Sequence, residues 1–255
     1  MCYELRQVTV SIISLKTINI SWLREVREQM KDTLLIIFDI PKDTHFTKYC
    51  DHYLINPKKM GFGKARRLSM LLGSELNEYC VVTDGDGQYP LESLIKIKKE
   101  ILKGKSEVII PQRMNKQLIV NLSGKTYDRR QFELLENLCL LSILKNDSVS
   151  YSFDSQPGLF AFKSSIVEKI LPDDTGWLAD WEITMKAIRN TKYSFLDLMI
   201  SPQIQEKSVF RWRSQIEKFY QISQLVDIKE IFYQNLNLFK NPEKNLIMDT
   251  LEKII

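Results

Sequence analysis

The sequence predicts an α/β protein: a mainly parallel mixed sheet flanked by helices, followed by a C-terminal helical extension. Short apolar or β-branched runs alternate with helical patterns through the first half of the chain, as parallel strands joined by helices require. One such run, Cys80–Thr83, breaks off into Asp84-Gly-Asp-Gly-Gln-Tyr-Pro, a polar turn at the end of a buried strand. From Glu206 the composition shifts to mixed Arg and aromatic residues and then to a helical pattern. The 255 residues fit one large domain with an appendage, divided here as 1–205 and a packed extension over 206–255.

The elements follow in order. Val8–Leu15 is short and β-branched and reads as the first strand. Asn19 or Ser21 caps a helix over Trp22–Met30. Leu34–Phe38 is a second strand ending at Asp39, and Tyr53–Ile55 a short third. Residues 56–67 combine Gly61-Phe-Gly63 with Lys58, Lys59, Lys64, Arg66 and Arg67 and lead into a helix reaching about Gly73. After Cys80–Thr83, Pro90 opens a helix over Leu91–Lys103. Glu107–Pro111 is a strand followed by Gln112 and Arg113. Phe132, Leu134, Leu135, Leu138, Leu141 and Leu144 fall near helical spacing. Residues 159–162 form an apolar strand, Ser164–Leu171 a helix, and 176–182 the start of another. Phe195–Ile200 is the last strand, and residues 214–240 read as helical.

Composition is that of a soluble globular protein, with 44% hydrophobic and 27% charged residues. The net charge of +4 is too mild to argue for nucleic acid and suits phosphorylated ligands or an anionic membrane surface. Cys2, Cys50, Cys80 and Cys139 are widely spaced, as reduced cytosolic thiols are. Neither a signal peptide nor a transmembrane helix is expected. The expected location is the cytoplasm, with peripheral contact at the inner membrane face as an option.

The chemistry concentrates at the acidic turn. Asp84 and Asp86 leave a strand end together, where α/β sheets bind ligands. At i, i+2 both can reach one hard cation, and Gln88 adds a neutral oxygen; such oxygen ligands suit Mg²⁺ or Mn²⁺, with substrate phosphates completing the shell. A solvated turn uses the same residues. An EF-hand is excluded, because the third acid and the glutamate at the twelfth position are missing. A dehalogenase-type phosphatase and a glycosyltransferase remain. The glycine-rich basic segment before the second helix can approach an anion, and Arg113 past a strand end can pair with phosphate. Asp180 and Glu182 sit in a first helical turn, where acids also simply favour the helix dipole.

In this order the motifs resemble a family-two glycosyltransferase of the GT-A fold, most nearly the polyprenyl- or dolichyl-phosphate sugar synthases. Four stretches carry the resemblance: Met60-Gly-Phe-Gly-Lys-Ala-Arg-Arg, Asp84-Gly-Asp-Gly-Gln-Tyr-Pro, Asp154-Ser-Gln-Pro-Gly-Leu-Phe-Ala-Phe and Gly176-Trp-Leu-Ala-Asp-Trp-Glu. The match spans roughly residues 8–215, and order with spacing is more specific than any single motif. Ser69 stands where that family often has glycine. The family's segments after the first and second strands are replaced by Ser14-Leu-Lys-Thr and Asp39-Ile-Pro-Lys-Asp, leaving Asp39 as the one candidate there for holding the nucleotide.

The resemblance implies an inverting, metal-dependent transfer from a nucleotide-diphosphate sugar in polysaccharide or glycolipid synthesis. Asp86, Gln88 and Asp84 would hold the metal, and Asp39, Lys64, Arg66, Asp84 and Arg113 the donor. A sugar-hydroxyl acceptor needs a base, for which Asp180 comes first and Asp154 second. A polyprenyl phosphate needs positioning instead, for which Arg129, Arg130, Arg211 and Arg213 are candidates; Gln156, Trp177 and Glu182 complete the acceptor set. A phosphatase would use Asp84 as nucleophile and Asp86 as acid/base. A non-catalytic sugar-nucleotide-binding protein would keep the site without the reaction.

Overall fold

The computed structural model describes residues 7–14, 18–39, 45–56, 60–114, 125–145, 153–173, 176, 178–201, 212–239, 247 and 250–252. Only the backbone is described at Asp39, 125–130 and 212–215. Seven strands form one sheet: β1 (Val8–Ser14), β2 (Thr33–Asp39), β3 (His52–Asn56), β4 (Tyr79–Asp84), β5 (Val108–Arg113), β6 (Leu159–Lys163) and β7 (Tyr193–Leu198). Their order is β3-β2-β1-β4-β6-β5-β7, with β6 antiparallel to both neighbours and every other pairing parallel. The central strands are buried on both faces, which is why they read as continuous apolar runs rather than alternating ones. Strand order reverses between β1 and β4, so their carboxyl ends flank the crevice where open α/β sheets take ligands. The acidic turn lies there.

The contacts divide the chain into two compact units, Met1–Met114 with Gln156–Gln205, and Asn115–Ser155 with Glu206–Ile255. The segment 115–155, expected within the first domain, therefore groups with the C-terminal residues.

In the first unit, α1 (Ile20–Gln29) is capped by Asn19, whose Oδ1 accepts from the Trp22 N–H at 3.1 Å. α2 (Phe62–Leu76) packs on β1, β2 and β4, and its buried stripe joins a core with Ile13, Ile37, Val82, Ile110 and Phe162. α3 (Leu91–Ile101) buries Leu94, Ile97 and Ile101 against the opposite face. Ser69 has a specific role here: its hydroxyl shares a buried 2.6 Å hydrogen bond with that of Ser11 on β1. One turn on, α2 lies tight against the sheet at Gly73, where a Cβ would sit 2.6 Å from Cys80 Sγ and 3.3 Å from Ser11 Cβ. Gly73→Val is therefore expected to destabilise the fold by about 2 kcal/mol or more, read as a lowered urea midpoint at an unchanged slope.

The expected helix over Ser164–Leu171 is a 3-10 turn, Ser164–Ile166, followed by the single α-helical turn α5 (Val167–Ile170). The helix expected from residue 176 begins at Ala179 as α6 (Ala179–Asn190). β7 starts and ends two residues earlier than its apolar pattern suggested, because the run into Met199 and Ile200 continues past the last ladder pair at Leu198.

The second unit is helical. α4 (Lys125–Leu144), α7 (Trp212–Ser223) and α8 (Ile228–Gln234) contact one another, with Phe132 and Phe219 rings 5.4 Å apart in their core. The continuous helix read over 214–240 is broken in two. Asp227 ends the break by accepting from the Glu230 N–H at 2.9 Å, an N-cap that starts α8 afresh, and a 3-10 turn follows at Leu236–Leu238.

Candidate active site

The acidic turn is fixed from several sides. Gly85 N–H donates to Ile13 O at 2.7 Å and Gly85 O accepts from Asn19 N–H at 2.8 Å, stitching the turn between the end of β1 and the start of α1. A side chain at Gly85 would meet Ile12, Ile13 O and Ile18 at 3.2 Å, so this position admits only glycine without a shift. Beyond the acids, Tyr89 O accepts from Trp22 Nε1 at 2.9 Å and Tyr89 Oη donates to Pro157 O at 2.5 Å. Ser201 N–H donates to Gln88 O at 2.8 Å. A cavity of about 510 Å³ borders the turn at Gly87 and Pro90, lined also by Asn19, Ser21, Trp22 and Arg24.

The two acids differ. Asp86 is exposed, and its Oδ1 accepts from the Gln88 N–H at 2.8 Å. Asp84 retains 36% side-chain exposure, and its Oδ1 accepts from Arg66 Nη2 at 3.0 Å. Its Oδ2 abuts Gly158, where a Cβ would stand 3.0 Å away and where φ is +75°. Both carboxyls are pushed above the usual carboxylate range. For Asp84 the cause is first burial, then the charges of Asp180 and Asp86, against the pull of Arg66 and Arg113. For Asp86 the surrounding chain thins the hydration of a group whose edge stays open to solvent; the Gln88 N–H pulls the other way.

Arg66 overturns one expectation. Its side chain is 0% exposed, so it is no donor-phosphate ligand; it joins the acids to each other. Besides Asp84, Nη2 donates to Asp180 Oδ2 at 3.2 Å and to Gly158 O at 3.3 Å. Nε lies 2.8 Å from Asp180 Oδ1 but off the donor axis, an ion contact rather than a hydrogen bond, and Nη1 has no hydrogen-bond partner among the described residues. The guanidinium carbon sits 5.0 Å from the Phe62 ring centroid, one helical turn back. Burial opposes the charge, yet Asp180 and Asp84 hold Arg66 protonated.

The remaining expected residues divide. Lys64 is exposed on the first turn of α2. Arg113, the last residue of β5 rather than a residue beyond it, donates from Nη2 to Gln156 O at 2.9 Å and acts electrostatically on both Asp84 and Asp86. Glu182 is turned to structural work: Oε1 accepts from Asp173 N–H at 2.6 Å and lies 3.2 Å from Lys186 Nζ. Asp154 is buried and belongs to the second unit, where Asn137 Nδ2 donates to Phe153 O at 2.6 Å and Ser155 Oγ to Asn137 Oδ1 at 2.5 Å. Trp177 and Arg211 lie outside the described residues, as do the side chains of Asp39, Arg129, Arg130 and Arg213. Gly158 has a positive φ beside Asp84, a feature the Pro157-Gly158 pair signals.

Among the described residues no three His, Cys, Asp or Glu side chains group to hold a metal alone. The turn instead offers an exposed carboxylate oxygen set beside a neutral amide, which fits a hard cation sharing its shell with ligand oxygens.

No protein-family model and no curated protein matches the sequence. Solved structures do match. Glucosyl-3-phosphoglycerate synthase from Mycobacterium tuberculosis, in complex with Mn²⁺, UDP and glucosyl-3-phosphoglycerate, aligns with a TM-score of 0.60 at 12% identity over 88% of this chain and 82% of that one. The same enzyme with Mg²⁺ and UDP aligns with a TM-score of 0.62 at 10% identity, over 88% and 81%. This chain has the GT-A fold. At such identity the likeness fixes the fold and leaves the site to be argued from its own residues. The narrower resemblance to polyprenyl-phosphate sugar synthases is not what these structures display. No described helix is long and apolar enough to cross a membrane.

Proposed function

We propose that this chain is a metal-dependent glycosyltransferase that moves a sugar, with inversion, from a nucleotide-diphosphate donor. The observation that carries the reading is the exposed Asp86 carboxylate on a rigid turn at the switch point of a GT-A fold. Asp86, with Gln88, would hold Mg²⁺ or Mn²⁺, the ions bound with UDP in the neighbouring structures. Bound there, the cation would offset the charge developing on the departing diphosphate. Lys64, exposed on the first turn of α2, would meet phosphate oxygens, while Arg113 adds positive field at the acids. Asp39 ends β2, next to β1 in the sheet, where a nucleoside would lie.

The acceptor is a polyprenyl phosphate, a glycan hydroxyl or a small phosphorylated acid of the kind found with the neighbours, one of which holds phosphoglyceric acid. A phosphatase reading is disfavoured, because the nucleophilic Asp84 it needs is bound by Arg66 on one oxygen and packed on Gly158 by the other.

Calorimetry with a panel of nucleoside diphosphates, in Mn²⁺ and in EDTA, tests the assignment: one diphosphate should bind in Mn²⁺ and not in EDTA. Binding of none would remove the donor site. A pH dependence follows from the raised carboxyls. A group with a raised pKa keeps its proton to higher pH, and a cation must displace that proton. Mn²⁺ affinity in the presence of the diphosphate is therefore expected to rise as pH is raised from the usual carboxylate range upward, with proton release on binding. Affinity that is flat as pH is raised would contradict it.

A further inference from the structure

We propose that Arg66 is a positioning residue: by gripping Asp84 and Asp180 together it fixes the acidic turn so that Asp86 is the carboxylate left to meet a divalent cation. The inference rests on the reading of that turn as a metal–diphosphate site.

A guanidinium with no solvent exposure is costly to bury and persists only where its partners are close and well placed. The partners of Arg66 come from three separate segments of the first unit: the end of β4, the residue before β6 and the first turn of α6. None of these is a neighbour of another in sequence, and one planar fork joins them. Asp84 accepts from Nη2 on one oxygen and faces Gly158 with the other, where a side chain would crowd it. Asp86, two residues on, is held by backbone N–H groups of its own turn, the Gln88 N–H among them, and is exposed. The division of labour within the motif follows: the first acid anchors the turn through Arg66, and the second is free to take a cation.

The same geometry changes the part played by Asp180. Both of its oxygens face Arg66, at 2.8 and 3.2 Å, and the residue is 5% exposed. A general base needs a free lone pair toward the acceptor. Asp180 acts instead as the far jaw of the clamp, a second positioning residue. Lysine cannot replace arginine in this place, since a single ammonium does not reproduce a fork spanning two carboxylates.

The test is a Mn²⁺ titration of the full chain, following the free-ion EPR signal with excess UDP, on wild type, Arg66→Lys and Asp180→Asn. Near-UV circular dichroism checks that each protein keeps its packing. Both variants should bind Mn²⁺ at least about tenfold more weakly, the scale of losing an outer partner of a metal ligand, although neither side chain is itself a ligand. A merely structural salt bridge would lower the melting temperature and leave the affinity of the folded protein alone. If Arg66→Lys does not fold, Asp180→Asn, which preserves shape and removes only the charge, decides by itself. Wild-type affinity in a folded variant overturns the clamp and leaves the donor reading standing. A wild type that binds no Mn²⁺ with UDP or with any other nucleoside diphosphate of the panel removes both.

Discussion

Asp86→Ala should abolish metal-dependent donor binding and lower transfer by about a thousandfold or more, because the cation's charge stabilisation is worth several kcal/mol and each 1.4 kcal/mol is a factor of ten. The side chain is exposed and its resolved hydrogen bond is local, from the Gln88 N–H. Folding stability should accordingly change by no more than about 0.5 kcal/mol, as for other surface positions. The substitution thus separates chemistry from structure, and an equilibrium urea melt beside a Mn²⁺·UDP titration reads both. Retention of Mn²⁺-dependent binding in Asp86→Ala would move the cation to other ligands.

Arg66→Met should act on stability as well. It removes the cation that, among the described residues, forms ion pairs with the buried Asp180 carboxylate and with Asp84. Truncating one side of a buried ion pair typically costs about 3–5 kcal/mol, since the uncompensated charge is left in a poorly solvated place. Asp180 would be left with no resolved partner for its carboxylate in a pocket that admits almost no water. A drop of that size in unfolding free energy, relieved in part by adding Asp180→Asn in the same chain, is the expected pattern. Additive losses from the two changes would mean that Asp180 is held by something other than Arg66.

Much of this was legible in the residues. The central strands announce themselves as continuous apolar runs because both sheet faces are covered, and the acidic turn because no folding requirement explains two carboxylates at a strand end. The burial of Arg66 is hidden in the sequence for a physical reason. The residue follows Lys64 and precedes Arg67 in a basic stretch, and a count of charges treats the three alike. Helical spacing distinguishes them: Arg66, Ser69, Met70 and Gly73 fall on one stripe, and that stripe is the buried one. The catalytic assignment of Asp180 failed to anticipate the same partner, which stands 114 residues away in the chain and has no local signature. Glu182 could be read as a helix-start acid, but its bond to the Asp173 N–H reaches back to the loop before α6 rather than to the helix's own amides. The grouping of 115–155 with 206–255 left no trace in composition, because both segments carry ordinary amphipathic helix patterns.

The central claim is that Asp86 presents a cation to a nucleoside diphosphate at the end of β4. Crystals grown with Mn²⁺ and UDP, with anomalous data collected near the manganese edge, measure this directly. The account predicts one strong anomalous peak bonded to an Asp86 carboxylate oxygen and to diphosphate oxygens, with Asp84 still bound to Arg66. A peak bonded to Asp84 with Arg66 displaced, or UDP bound away from this turn, would contradict it.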